Sequence, residues 1–187
     1  MRKSVIAIIA AFVLLSVDAS AQYDYVARDV RPIEFEIGAG LATAANRVSA
    51  FGKARQGVDG NIELRYNFDS QPVDLGLYVS VCTFSRGEQT GDYANSYDFV
   101  SENLLVTSDY NFFRGNNVSP FVGLGLGVAW SDINADGSRK GTHFAVMPRV
   151  GVELSHHLRI TLAYKIFERA NNHLTLSLGY AFGGGRR

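Results

Sequence analysis

One cysteine in 187 residues, Cys82, excludes an internal disulfide framework and any cysteine-based zinc site. Neither sign of charge prevails, since 18 basic side chains meet 18 acidic ones. No basic surface therefore points to nucleic acid as a partner. Lysine is scarce: after residue 21 only Lys53, Lys140 and Lys165 occur. Beyond residue 21 no segment reaches 18 consecutive apolar residues, too short a run for a membrane-crossing helix. If that part of the chain crosses a membrane, it does so as a closed barrel, the other arrangement that satisfies the backbone in lipid.

The first 21 residues are different. Arg2 and Lys3 precede an apolar run from Val5 to Val17, and Ala19-Ser20-Ala21 follows. A charged start, a short apolar centre and small residues at the end predict a secretory signal peptide over 1–21. The run is shorter than a spanning helix and Asp18 closes it. No cysteine at the cleavage point suggests a lipid anchor, and the mature chain is expected to start near Gln22.

After a short periplasmic N-terminal segment, 22–32, the chain reads with period two. Eight segments alternate: Ile33–Ala42, Asp59–Phe68, Val73–Phe84, Phe99–Phe112, Pro120–Trp130, His143–Leu154, Leu158–Phe167 and His173–Phe182. In the last, Leu174, Leu176, Leu178, Tyr180 and Phe182 alternate with His173, Thr175, Ser177, Gly179 and Ala181. The connections 69–72, 114–119 and 155–157 are tight, whereas 43–58, 85–98 and 131–142 are longer and polar. Only 168–172 breaks that rule by being short. Alternating segments of about ten residues, with short turns at one end and long loops at the other, are what a transmembrane barrel requires.

Aromatic residues recur at matching heights. Tyr66 and Phe68, Tyr110 and Phe112, Tyr180 and Phe182 end three segments that run in one direction, and Trp130, Phe144 and Tyr164 fall near the opposite rim. This pattern predicts interfacial aromatic girdles; a general aromatic preference of strands is the plainer reading.

Alternation alone does not say which face is inside. A soluble barrel would offer water a face rich in Lys and Glu. Here the polar face is Gly, Ala, Ser, Thr and Asn with few charges, which suits the narrow interior of an eight-stranded barrel. The predicted fold is therefore all-β, an eight-stranded antiparallel up-and-down transmembrane β-barrel over 33–182, with a tail at 183–187. Its interior would hold Glu34, Glu36, Glu63, Arg65, Asp74, Asp109, Arg149, Glu153, Arg159 and Lys165. Unpaired buried charge is costly, so these groups should pair into a plug; a gated ion path through them is the sharper alternative. A turn symmetric about His156 sets Glu153 opposite Arg159, and a symmetric 69–72 turn sets Asn67 opposite Asp74. Two residues resist the scheme. Pro148 lies inside a strand with no N–H to donate, which predicts a local bulge. Glu102 on the apolar face must stand above the hydrocarbon.

With its leader, "SPFVGLGLGVAW" (119–130) after a tight turn and terminal "LTLSLGYAF" (174–182), the chain resembles the eight-stranded outer-membrane β-barrel family, similar to the OmpA membrane domain and OmpX. The likeness covers roughly 32–182. It implies the cell outer membrane of a Gram-negative bacterium, outer-membrane lipid as surroundings, and the barrel-assembly machinery as partner. Leu178, Tyr180 and Phe182 would be the assembly signal. "GGGRR" after Phe182 departs from the family, whose chains usually stop at the aromatic. No peptidoglycan-binding module is expected after the barrel.

Some barrels of this size modify lipids. The deacylase relatives place His and Ser two apart on a lipid-facing strand; here Ala145 follows His143 and Thr175 follows His173. Asp69-Ser70 and Ser108-Asp109 have no nearby His, and His156-His157 in a turn lacks a carboxylate to complete a metal site. Basic Arg47, Lys53, Arg55, Arg86, Arg139, Lys140 and Arg169 in the loops suit lipopolysaccharide phosphates. Asp59, Glu88, Asp92, Asp98, Asp132, Asp136 and Glu168 match them in number. No catalytic residue, cofactor or metal is assigned. The expected role is non-enzymatic, structural or in cell-surface interaction, by a monomer; a lipid-modifying enzyme and a narrow pore are the alternatives.

Overall fold

The computed structural model describes residues 31–44, 53–54, 56–68, 71–90, 93–114, 116–134, 139–168 and 171–183. The leader 1–21, nearly all of 22–32 and the tail after Gly183 lie outside the described residues. So do Arg47, Asp92, Asp136, Arg169, Asp69 and Ser70.

Strands β1 (Ile33–Ala44), β2 (Lys53–Ala54), β3 (Gln56–Asn67), β4 (Val73–Thr90), β5 (Tyr93–Asn111), β6 (Val118–Asn134), β7 (Arg139–Leu154), β8 (Leu158–Lys165) and β9 (His173–Phe182) make one sheet. Its order is β2-β4-β3-β1-β9-β8-β7-β6-β5, and β4 also pairs β5, so the sheet closes. The two-residue β2 lies along β4 next in line to β3, which leaves eight antiparallel staves that close on one another. The seam joins the first and last strands, from Phe35–Phe182 to Ala44–His173.

Period two determines which residues meet lipid. Outward side chains are Ile, Leu, Val and aromatics: Ile33, Ile37, Leu41, Leu64, Leu77, Val106, Leu176 and Leu178 are all exposed. On the inward face Glu63, Arg65, Asp109, Arg159 and Lys165 are buried. The molecule is thus polar inside and apolar outside, the inverse of a soluble barrel, as lipid demands.

The two ends differ. At one end the strands meet in tight turns. Between β7 and β8, Ser155 and His156 both take positive φ (51° and 65°), the two left-handed positions of a type I′ hairpin turn. At the other end the expected loops are largely strand. β4 and β5 pair up to Thr90–Tyr93, so 85–90 and 93–98, expected as loop, are paired strand. Likewise β6 runs to Asn134 and β7 starts at Arg139, which shortens the loop expected at 131–142. The loop expected at 43–58 carries β2 and the start of β3. Above an apolar band both faces of a strand are polar, so period two vanishes while the backbone ladder continues. The wall is accordingly uneven: β4–β7 have 16–19 residues each, whereas β8 has 8 and β9 has 10.

Pro148 does not make a bulge. The β7–β8 ladder ends at Arg149–Ala163 and resumes as the single bridge Val146–Ile166, on the same register. Val146 exchanges both backbone hydrogen bonds with Ile166 at 2.9 Å, so alternation points the Pro148 nitrogen at β8 as well. One rung is lost and no residue is inserted.

Candidate functional site

The lumen is the chemically loaded part of the molecule, and it has two chambers. The lower one, near the turn end, is built on three guanidiniums. Arg149 from β7 spans it, forking onto Glu63 of β3 (Nη1–Oε2 2.9 Å, Nη2–Oε1 2.6 Å) and onto Asp109 of β5 (Nε–Oδ1 2.7 Å, Nη2–Oδ2 2.9 Å). Arg65 donates to Glu36 at 2.5 Å and Glu34 at 3.0 Å, with Glu63 at 3.5 Å and Glu153 at 4.0 Å. Arg159 donates to Asp109 at 2.7 Å and lies 3.6 Å from Glu36. Its guanidinium carbon sits 3.8 Å from the Phe121 ring centre, closing the chamber from below. Planar forks matched to carboxylates are the strongest form of ion pair.

This chamber collects Glu34, Glu36, Glu63, Arg65, Asp74, Asp109, Arg149, Glu153 and Arg159. The ladders put Glu153 opposite Arg159 and Asn67 opposite Asp74, as symmetric turns require. The ion pair, however, is not the cross-strand one, for Arg159 turns to Asp109 and Glu153 to Arg65. Asp74 joins no ion pair in the described residues. It accepts from the Asn111 amide at 2.8 Å and from the Asp109 backbone N–H at 3.2 Å. Glycines make the space. A Cβ at Gly76 would come 2.7 Å from Glu63 Oε1, and one at Gly123 would fall on the Asp109 carboxylate.

Lys165 stands apart, in the upper chamber. Its Nζ donates to Asp59 Oδ2 at 2.6 Å and to Ser80 Oγ at 2.7 Å. Asp59, expected among outer-loop acids, is buried in the lumen. It shares parity with Asn61, Glu63 and Arg65, and that parity was the signal for its place. Between the chambers lies a layer of Tyr78, Leu105, Met147, Ala145, Ala129 and Ala163. The Tyr78 ring centre is 5.9 Å from the Arg149 guanidinium and 5.4 Å from Lys165 Nζ. Beside this layer a cavity of about 10 Å³ is lined by Glu36, Glu63, Tyr78, Met147 and Arg149 among others, room for about one water. Stacked Phe84 and Phe99 (centroids 5.4 Å) cover the upper chamber.

Sequence reasoning missed Ser80, Tyr78 and Thr107, whose hydroxyl donates to Glu63 at 2.6 Å. Strand parity locates them; the partners they choose depend on barrel closure.

Outside, three aromatic pairs repeat one edge-to-face geometry at the turn end: Tyr66–Phe68 at 5.2 Å, Tyr110–Phe112 at 5.0 Å and Tyr180–Phe182 at 4.9 Å. His157 stacks on Tyr180 at 5.4 Å, and its Nδ1 is 2.9 Å from the Ala181 carbonyl. Leu178, Tyr180 and Phe182 all project outward. At the rim Trp130 and Phe144 are exposed and Tyr164 half-buried. Glu102, cross-strand from Trp130, shares a cleft of about 400 Å³ with Val100, Trp130, Ser131, Asp132 and Lys140. Lys140 and Asp132 pair at 3.5 Å in solvent. His143 and His173 lie on strand faces turned inward, with Ala145 and Thr175, and His143 Nε2 is 3.5 Å from Glu168.

A family model described as outer membrane protein beta-barrel domain matches residues 7–182. Among solved structures, Neisserial surface protein A is similar with a TM-score of 0.57 and 12% identity, over 82% of this chain and 98% of that one. Ail, the attachment invasion locus protein of Yersinia pestis, is similar at a TM-score of 0.45 and 20% identity, over 80% and 98%. The outer membrane enzyme PagL is similar at 0.42 and 17% identity, also over 80% and 98%. No curated protein matches the chain.

Proposed function

We infer a function from one premise: the chain belongs to the outer membrane protein β-barrel domain family. It is an outer-membrane β-barrel in a lipid environment. From there we propose a non-enzymatic, closed barrel whose role is structural or in interaction at the cell surface. The observation that carries this is the lower chamber, where Arg149 forks onto both Glu63 and Asp109 across the lumen. Such a crosslink holds opposite walls together and fills the path an ion would need. The inward turn of His143 and His173 supports the absence of lipid chemistry, because neither faces the acyl chains.

On this reading the turn end faces the periplasm and the tall wall of β4–β7 stands outside. The aromatic pairs, with Trp130, Phe144 and Tyr164 opposite, act as interfacial girdles. Leu178, Tyr180 and Phe182 are read by the barrel-assembly machinery after the 1–21 leader is removed. The Trp130–Lys140 cleft lies at the level of lipopolysaccharide headgroups, and the barrel works as a monomer.

Two measurements test the reading. The folded protein in a planar bilayer should stay electrically silent, and lipid A should carry the same acyl chains in cells with and without the protein. Steady conductance that vanishes on charge reversal at Arg65 or Arg149 would establish a pore instead. An altered acylation pattern would establish an enzyme.

A further inference from the structure

The upper chamber holds a set of groups that the charged plug does not use. Asp59, Cys82 and His173 each offer one ligand atom, and these atoms all lie within 4.8 Å of one another. The fold brings them together from two directions. Asp59 and Cys82 are cross-strand partners on β3 and β4. His173 comes from β9, beyond β1, where the inward residues of β1, Gly40 registered with Asp59, Ala42, and Ala44 registered with His173, are all small.

Two further observations point to a ligand. First, His173 Nδ1 lies 2.7 Å from the Asn171 carbonyl, while its fully buried Nε2 has no hydrogen-bond partner. A carbonyl on Nδ1 fixes the proton there and presents Nε2 as a bare lone pair, the arrangement typical of metal-binding imidazoles. Second, unpartnered buried polar atoms gather in this chamber. Ser101 Oγ is beside Cys82 across the β4–β5 ladder, and Asn103 and Asn171 each add one. Buried polar atoms without partners call for an ion or water.

We propose that Asp59, Cys82 and His173 bind a divalent transition-metal ion of the zinc class. Thiolate, imidazole and carboxylate together suit a borderline-soft tetrahedral ion, with the fourth position left to water. The single cysteine cannot form a zinc site by itself and serves here as one ligand of three. Binding replaces the S–H bond of Cys82 with a sulfur–metal bond and releases the proton to solvent. Asp59 can ligate without leaving Lys165, because Lys165 holds Oδ2 while Oδ1 has only a 3.5 Å contact from Asn61. Carboxylate and thiolate balance the ion. Lys165 is offset in turn by the lower chamber, where Glu34, Glu36, Glu63, Asp74, Asp109 and Glu153 outnumber Arg65, Arg149 and Arg159.

Cobalt(II) is the probe, added to the full chain during refolding into detergent so that the cover of Phe84 and Phe99 is no barrier. One cobalt per barrel is expected, with a thiolate-to-cobalt charge-transfer band that zinc displaces. Cys82→Ser and His173→Gln should lose the band yet keep the heat-dependent gel shift of a closed barrel. A folded wild-type barrel without the band overturns the proposal, as does a folded Cys82→Ser barrel that binds cobalt as well as wild type.

Discussion

The two chambers of the lumen solve the same problem, buried charge in a narrow barrel, in different ways. Below Tyr78 each guanidinium touches two or more carboxylates, and Glu63 and Asp109 each touch two guanidiniums. Above it Lys165 and Asp59 form one isolated pair, helped by the Ser80 hydroxyl. The contrast follows from side-chain shape. Arginine offers five donors in a plane and bridges staves, while lysine is a point charge that serves one partner well. The lower chamber is therefore a crosslinked plug and the upper one holds a single ion pair.

The largest expected effect tests the crosslink. Arg149→Met strands both Glu63 and Asp109 without their forked partner, and breaking a buried ion pair costs about 3–5 kcal/mol. It should show as a lower urea midpoint for loss of the heat-dependent gel shift. Adding Glu63→Gln should recover only part of the loss, because Asp109 stays charged. Lys165→Met is comparable, since it leaves the buried Asp59 carboxylate with no cation, again at about 3–5 kcal/mol, measured in chelator. Here the second change, Asp59→Asn, should restore nearly all of it. Full recovery below and none above would invert the comparison.

Much of this arrangement was legible in residue order, and the reason is mechanical. Period two assigns each side chain to lipid or lumen, so Arg65, Arg149 and Lys165 could be placed inside before any contact was known. Asp59 shows the same rule ignored: its parity puts it inside, while its place near a polar stretch suggested a loop. Partner choice was not legible. Glu153 sits opposite Arg159 as the turn predicts, yet each pairs elsewhere, because strand tilt brings residues of different rungs to one level. The meeting of Cys82 with His173 across β1 depends on closure in the same way. The tall β4–β5 hairpin escaped notice because its ladder continues where apolar alternation stops.

Glycines extend the comparison to space. Gly123→Ala would drive a methyl into the Asp109 carboxylate, and overpacking costs about 1–3 kcal/mol. Gly60, whose Cβ would meet nothing within 4 Å, supplies the control, and Gly60→Ala should leave the urea midpoint unchanged. A loss at Gly123 no larger than at Gly60 would mean that the plug has slack.

The smallest effects ask whether the chambers differ in anything besides charge. Thr107 donates to Glu63 at 2.6 Å in the lower chamber, and Ser80 accepts from Lys165 at 2.7 Å in the upper one. Thr107→Val and Ser80→Ala each remove one hydroxyl while the ion pair beside it stays intact. If the difference lies in how charges are shared, both should cost about the same, near 0.5–1.5 kcal/mol. A much larger loss at Ser80 would show the upper pair leaning on its single hydroxyl. A much larger loss at Thr107 would show that the lower crosslink needs its neutral donors to hold Glu63 in line for Arg149.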